Sequence, residues 1–333
     1  MATRPTIRDV ARAAGVSVST VSRVFTHPQL FRKETRSRVH AAAEQLNYVP
    51  SRLATALTTG RTGNVGLVVP NLANPLFPEM IKSAQHRLRG HNLAALLGDG
   101  DDDPDDELRL IYALAKDVDG LILFSSLLRD AQIEKIRDLS PTVFVNRHVE
   151  GFTCVLVDAL PGMRLLVQYL SNLGHTSALY LAGPENAWVA HDRKQALVRA
   201  GEEADLRIEV SEPNRPSYES GVSAAETLVH GRLPTAVVCF NDVMAIGLTA
   251  RLVEIGVEVP HQISVVGWGG SKLTGYSTPA ITTLAVPFGD LGSTAVDELL
   301  AARRSGVADS VPTPVALDVK LVTRATTGRA RAK

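Results

Sequence analysis

Thr6-Ile7-Arg8-Asp9-Val10-Ala11-Arg12-Ala13-Ala14-Gly15-Val16-Ser17-Val18-Ser19-Thr20-Val21-Ser22-Arg23-Val24 opens the chain and decides how its first part folds. Thr6 is an N-cap residue with an acid three positions on, a variant of the capping box. Ile7, Val10, Ala11 and Ala14 follow at i, i+3, i+4 and i+7, which is one apolar stripe on a short helix. Gly15 stands where a helix end wants positive φ, and Ser17 offers a second N-cap. The next helix, expected over about Val18–Phe25, turns Val21 and Val24 toward the first stripe. Thr35, Val39, Ala42, Ala43 and Leu46 form a third stripe that closes a three-helix mini-core.

Two short helices joined by a tight glycine turn are a helix-turn-helix. The outer face of the second carries Ser19, Thr20, Ser22 and Arg23, short polar residues and one arginine. Such side chains can reach base edges without holding the helix off a major groove. Charge agrees with this: Met1–Gly63 holds 10 Arg+Lys and 3 Asp+Glu, a net of +7. The rest then holds 35−10 = 25 basic and 35−3 = 32 acidic residues, a net of −7. A basic head on an acidic body points to a polyanion met by the head alone, or to a solvated basic face, and charge by itself does not decide between the two. After Tyr48-Val49-Pro50, the segment Ser51–Thr58 has helical spacing but is too short to hold alone in water.

These strings resemble the LacI/GalR family of bacterial repressors almost residue for residue. The resemblance implies that Val18, Ser19 and Arg23 read bases, while Ser17, Thr20 and Ser22 hold phosphates. It makes Ser51–Thr58 a hinge helix that folds on the operator, with Ala54 and Leu57 at the minor groove and Leu57 as the wedge between base steps. Two positions depart from the family. Arg32 replaces the usual small N-cap of the third helix, a loss of about 1 kcal/mol, and Thr55 replaces an arginine.

From Asn64 onward short apolar runs alternate with helical stretches, which argues for parallel sheets covered on both faces. Strands are expected at Val65–Val69, Leu93–Leu97, Gly120–Phe124, Val143–Val145 and Val155–Val157. After Gly162 the alternation restarts, with strands at Ala178–Leu181, Ile208–Val210, Ala236–Phe240 and Ile263–Val266. The acidic run Asp99–Asp106 lacks calcium-loop spacing and reads as an exposed loop. No Gly-x-Gly-x-x-Gly follows the first strand, so a dinucleotide-binding dehydrogenase has little support. The family blocks continue through Asn74-Pro75-Leu76-Phe77, Asp119-Gly120-Leu121-Ile122, Leu173-Gly174-His175, Asn241-Asp242 and Thr278-Pro279. They imply an α/β, periplasmic-binding-protein-like body of two lobes, crossed by the chain near Ala159–Gly162, Pro287–Leu291 and Asp318–Val322. The expected domains are a DNA-binding head at 1–48, a hinge and linker at 49–62, and an effector-binding and dimerisation core at 63–326. Within the core, the N-lobe takes 63–161 and 291–318, and the C-lobe 162–290 and 319–326. A flexible tail takes 327–333.

By the resemblance, an effector sits at the strand ends, against Asn74, Phe77, Asn146, Arg147, Arg193, Asn241 and Trp268. Asn241 has a second reading as the cap of the helix from Val243, and Arg193 as part of a solvated helix face. Gly267-Trp268-Gly269-Gly270 stands where family members usually read Gly-aromatic-Asp-Asp. Losing a buried acceptor changes specificity strongly, so sugar is not carried over as the ligand. Arg147 and Arg193, without those aspartates, favour a carboxylate or phosphate. A less polar effector, or none, stays open.

The whole is expected to be a homodimeric, ligand-responsive repressor on a near-palindromic operator, cytoplasmic, with no cofactor, metal or membrane contact. The lack of an apolar h-region near Met1 argues against the runner-up, a transported-solute binding protein. An enzyme has less support still: Cys154, Cys239 and the nine histidines form no nucleophile–base spacing. The tail lacks an apolar heptad, so a dimer is the largest form expected.

Overall fold

A computed structural model describes residues 5–26, 28–49, 60–231, 233–305 and 314–331. Contacts divide the chain into two units, residues 1–64 with 117–119, and the remainder. The hinge positions Ala54 and Leu57 lie outside the described residues.

The first unit holds α1 (Ile7–Ala14), α2 (Val18–Thr26) and α3 (Lys33–Gln45). Val10, Ala11, Ala14, Val21, Val24, Val39, Ala42 and Ala43 make its core, with Leu46 packed at the edge. The stripes read from the sequence are therefore the faces that pack. Gly15 takes φ 61° and ends α1. In the same unit the Thr62 and Gly63 amides donate to the two carboxylate oxygens of Asp119, at 2.7 and 3.1 Å.

In the second unit the described strands form two sheets. The first runs β11 (Val315–Leu317), β5 (Thr153–Val157), β4 (Thr142–Val145), β3 (Leu121–Phe124), β1 (Asn64–Val69), β2 (Ala94–Asp99). The second runs β12 (Lys320–Val322), β10 (Thr282–Ala285), β9 (Ser264–Gly269), β8 (Ala236–Cys239), β6 (Ser177–Leu181), β7 (Arg207–Val210). Pairing is parallel from β11 through β1 in the first sheet and from β10 through β7 in the second, and antiparallel between β10 and β12. Central strands such as Leu121–Phe124 are buried at every residue, as sheets covered on both faces require.

Helices fill the connections: α4 (Phe77–Gly90), α5 (Pro104–Leu114), α6 (Asp130–Ile136), α7 (Ala159–Asn172), α8 (Trp188–Glu203), α9 (Tyr218–His230), α10 (Asp242–Glu254), α11 (Leu273–Tyr276) and α12 (Phe288–Ser305). The chain passes between sheets before α7, before α12 and between β11 and β12. Helices α7 and α12 thus begin a few residues ahead of the lobe boundaries expected from the sequence.

Two expectations are corrected. The acidic run does not end as a loop. Asp103 accepts from the Asp105 and Asp106 amides at 2.7 and 3.0 Å and starts α5, with Pro104 in the first turn. Nor are residues 327–331 a flexible tail. The Ala330 amide donates to the Leu173 carbonyl at 2.8 Å, and the Gly328 amide to Ser264 Oγ at 3.1 Å. His175 is buried between Thr235 and the Gly328 carbonyl and so ties this strap to the lobe.

Candidate DNA-reading face and effector cleft

On α2 the buried Val21 and Val24 fix the helix on the head, which leaves Val18, Ser19 and Arg23 exposed. The Ser17 hydroxyl accepts from the Thr20 amide at 3.1 Å and caps the helix. It also bonds the Ser19 and Thr20 hydroxyls, each at 2.8 Å, so the polar side chains of the first turn form one exposed cluster. Ser22 and Thr20 are half-buried on its flank. At the start of α1 the Thr6 amide and hydroxyl donate to Asp9, which holds that carboxyl below its usual range. Arg32 occupies the N-cap of α3 without a side-chain cap bond, as its chemistry dictates.

In the body, Arg193 rises from α8 and is 6% exposed. The Phe240 and Trp268 ring centroids each lie 4.7 Å from its guanidinium carbon. Nη1 donates to the Phe240 carbonyl at 3.0 Å. Burial pulls its pKa down to about 10, against the pull of Tyr180, Asp192 and Asp242. Arg193 is not on a solvated helix face.

Asp242 is fully buried at the start of α10. Its Oδ1 accepts from the Thr283 hydroxyl at 2.6 Å and its Oδ2 from the Ser271 amide at 2.7 Å. Burial raises its pKa, and those bonds oppose the rise.

The other expected residues divide. Asn241 caps α10: its Oδ1 accepts from the Met244 amide at 2.9 Å, and its Nδ2 donates to the Pro216 carbonyl at 3.2 Å. Asn74 turns the chain into α4, its Oδ1 accepting from the Leu76 amide at 3.1 Å. Phe77 packs into the core among the residues of α4. Asn146, in left-handed backbone at φ 59°, donates to Ser125 Oγ at 3.3 Å. Arg147 donates to the Ser126 carbonyl at 2.8 Å and lies 3.8 Å from the exposed Asp130. The buried Glu107 acts on it electrostatically while accepting from the Leu127 amide at 2.8 Å. Arg147 thus has a carboxylate within ion-pair distance in its own lobe, whereas Arg193 feels Asp192 and Asp242 only at longer range.

Gly269 and Gly270 take φ 134° and 77°. A Cβ at 269 would lie 2.9 Å from Leu76 Cδ2 and 3.0 Å from Asp242 Oδ2, and one at 270 would lie 2.5 Å from the Ala285 Cβ. The missing carboxylates are therefore more than a lost acceptor, because both positions take positive φ and a side chain would crowd Leu76 and Asp242 at 269 and the Ala285 backbone at 270. Sequence reasoning passed over Tyr180, Phe240, Ser271 and Glu107. The signal for the first three was position at or just beyond strand ends, and Glu107 sits in the first turn of α5 with no such signal. Among the described residues no group of three His, Cys, Asp or Glu is placed to hold a metal ion.

Bacterial regulatory proteins of the lacI family match residues 6–51, and a periplasmic binding protein-like domain matches 167–327. The transcriptional repressor CytR of Escherichia coli K12 is 32% identical over 305 residues, 90% of this chain and 89% of that protein. This chain belongs to the LacI family. The regulator GalR of the same strain is 33% identical over 318 residues, 93% of this chain and 91% of that one. The Lac repressor dimer bound to operator and the anti-inducer ONPF superposes with a TM-score of 0.85 at 27% identity, covering 98% of this chain and all of that one. The CelR–cellobiose complex gives 0.72 at 27% identity, over 97% and 100% of the two chains. As in the LacI family generally, this chain joins a helix-turn-helix head to a two-lobed, ligand-responsive body and is a DNA-binding transcription regulator.

Proposed function

We propose that the chain is a homodimeric repressor of a near-palindromic operator, released or recruited by a small molecule held between its lobes. One observation carries this: the buried valines of α2 leave Val18, Ser19 and Arg23 facing outward from a capped, rigid helix. Two such heads related by a two-fold axis would read two half-sites. The similarity to a repressor dimer on its operator supports the partner and the symmetry. Exposed Leu273 and Tyr276 on α11 offer apolar surface for a second copy. We take 1–48 as the reading domain, 49–62 as hinge and linker, and the body through 331 as the effector-binding core. Working on DNA places the chain in the cytoplasm, and no catalytic role is assigned.

In this reading Val18, Ser19 and Arg23 contact bases, and Ser17, Thr20 and Ser22 contact phosphates. Ala54 and Leu57 lie at the minor groove. Leu57→Ala should weaken operator binding by a few kcal/mol and reduce the DNA bend. In the cleft, Arg193 and Trp268 carry the ligand contact together with Asn146 and Arg147. Asn74, Phe77 and Asn241 instead shape it from behind. Mobility shifts with selected operator fragments test the proposal. Exchanging Val18 and Ser19 for other pairs should change which fragment is preferred, and an unchanged preference would remove the base-reading assignment.

A further inference from the structure

Arg193 carries a nearly buried guanidinium without a direct ion pair. No ion pair involves it among the described residues, and Asp192 and Asp242 act only at longer range. Phe240 and Trp268 each hold a ring 4.7 Å from its guanidinium carbon, and Nη1 is spent on the Phe240 carbonyl. Nε and Nη2 make no hydrogen bond within the described residues. That edge is the fork that meets two oxygens of one planar anion with parallel N–H···O bonds. The rings hold the fork rigid, so little side-chain freedom is lost on binding.

The surrounding groups add donors, and most of the nearby acceptors other than Asn146 Oδ1 are already bonded. Among the described residues, Trp268 Nε1 and Tyr180 Oη are buried without a partner. Tyr180 lies close enough to Arg193 to perturb it, and the Trp268 ring is stacked on it. The oxygens of Asn74, Asn241 and Asp242 already accept from the fold. Gly269 puts the Leu76 methyls where a side-chain acceptor would stand. A sugar brings hydroxyl donors to such a site and finds few acceptors free. An oxyanion brings acceptors only.

We propose that the effector of this chain carries a carboxylate or phosphate, taken side-on by the Nε–Nη2 edge of Arg193. This rests on the reading of the cleft as the effector site. The test is thermal shift on the full chain with matched pairs: gluconate and glucose, glucose 6-phosphate and glucose, lactate and propane-1,2-diol. Small molecules of bacterial cytosol, split on an anion exchanger into retained and unretained fractions, extend the panel beyond named compounds. The acidic members or the retained fraction should raise the melting temperature. Arg193→Lys, which keeps the charge and loses the fork, should weaken that response by about tenfold or more. Trp268→Phe keeps a ring on the guanidinium and removes one unpaired N–H. Its free form should melt no lower than the natural chain, and its response should shrink. A shift from neutral members or the unretained fraction alone overturns the anion assignment and leaves the effector reading standing. No shift from any compound or fraction overturns the effector reading and the proposal with it. Arg193→Lys and Trp268→Phe both responding like the natural chain would also overturn the proposal.

Discussion

On α2, Val18, Ser19 and Arg23 face solvent, and Val18 is 41% exposed. In the body Arg193, Asn241, Asp242 and Trp268 are 6%, 1%, 0% and 2% exposed. The hydroxyls of the α2 cluster bond mainly one another and their own helix. The cleft residues bond the backbone of other elements: Arg193 to Phe240, Asn241 to Pro216, Asp242 to Ser271. Selectivity in the head can therefore change without touching the fold. In the cleft, each change of ligand contact also changes what the fold rests on. The two arginines differ as well, since Arg147 has Asp130 at 3.8 Å while Arg193 packs against two rings and feels Asp192 and Asp242 at longer range.

The sharpest way to break this contrast is Gly269→Asp, which restores a residue the family usually carries. If the cleft were as independent of the fold as the head, the variant would alter ligand choice alone. The left-handed backbone and the crowding by Leu76 and Asp242 predict otherwise. Strain and overpacking each cost about 1–3 kcal/mol, and a second carboxylate beside a buried one adds to that. The expected result is a clear fall in melting temperature without ligand. An unchanged melting temperature would show that this loop can rearrange.

Changes at Val18 or Ser19 come next in size. A replaced base contact should shift discrimination by about 1–3 kcal/mol at one operator position. Thr20→Ala should instead weaken all sequences alike. Melting temperatures of the Val18 and Ser19 variants should stay with the natural chain. A drop comparable to that of Gly269→Asp would erase the difference between head and cleft.

What was legible follows the same division. The head's stripes and caps are local patterns, so Thr6, Asp9, Val10, Ser17, Val21 and Val39 announced their roles. Strand cores such as Leu121–Phe124 are local too. Helix α12 was not seen, because Gly289 and Gly292 break its apolar pattern. In the fold, Gly292 is where α12 meets α4, and a Cβ there would lie within 2.2 Å of the Met80 carbonyl oxygen. Such an approach is invisible until both helices are placed. The cleft was legible in position and partly misassigned in role. Phe77 packs for reasons set by distant partners, whereas the cap that Asn241 makes on the Met244 amide is local and was the second of its two sequence readings. The glycines at 269 and 270 read as lost acceptors, and their positive φ adds a backbone demand that the sequence pattern does not show.

A smaller effect tests the strap of residues 327–331. Burial lowers the pKa of His175 below its ordinary 6.5. The unfolded chain then takes up a proton first, so this residue's contribution is lost as pH falls below about 6.5. Glu107 and Asp242 work in the opposite sense. Burial raises both, so the folded state holds their protons to higher pH, and they favour it as pH falls toward their ordinary values. The measurement is therefore the difference between the natural chain and His175→Gln in melting temperature against pH. The gap should narrow as pH drops from 7 through the histidine range. A constant gap would mean that the imidazole proton plays no part in holding the strap.

The smallest expected effect returns to the head, at Arg32. It sits at the N-cap of α3 in extended backbone, φ −63° and ψ 152°, and makes no cap bond. A serine there can accept from an amide of the first turn, worth about 1 kcal/mol. Removing a positive charge from the helix N-terminus adds a few tenths. Amide exchange in α3 of the full chain should therefore slow in Arg32→Ser. If the arginine was kept for DNA, operator affinity should fall at low salt, with the loss fading as salt rises. The slope of log K against log salt should shrink by roughly one for a lost phosphate contact. Slower exchange with lower, less salt-dependent affinity would make Arg32 the one head position where stability was exchanged for binding, as throughout the cleft. Slower exchange with unchanged affinity would leave the head a region where the two are separate.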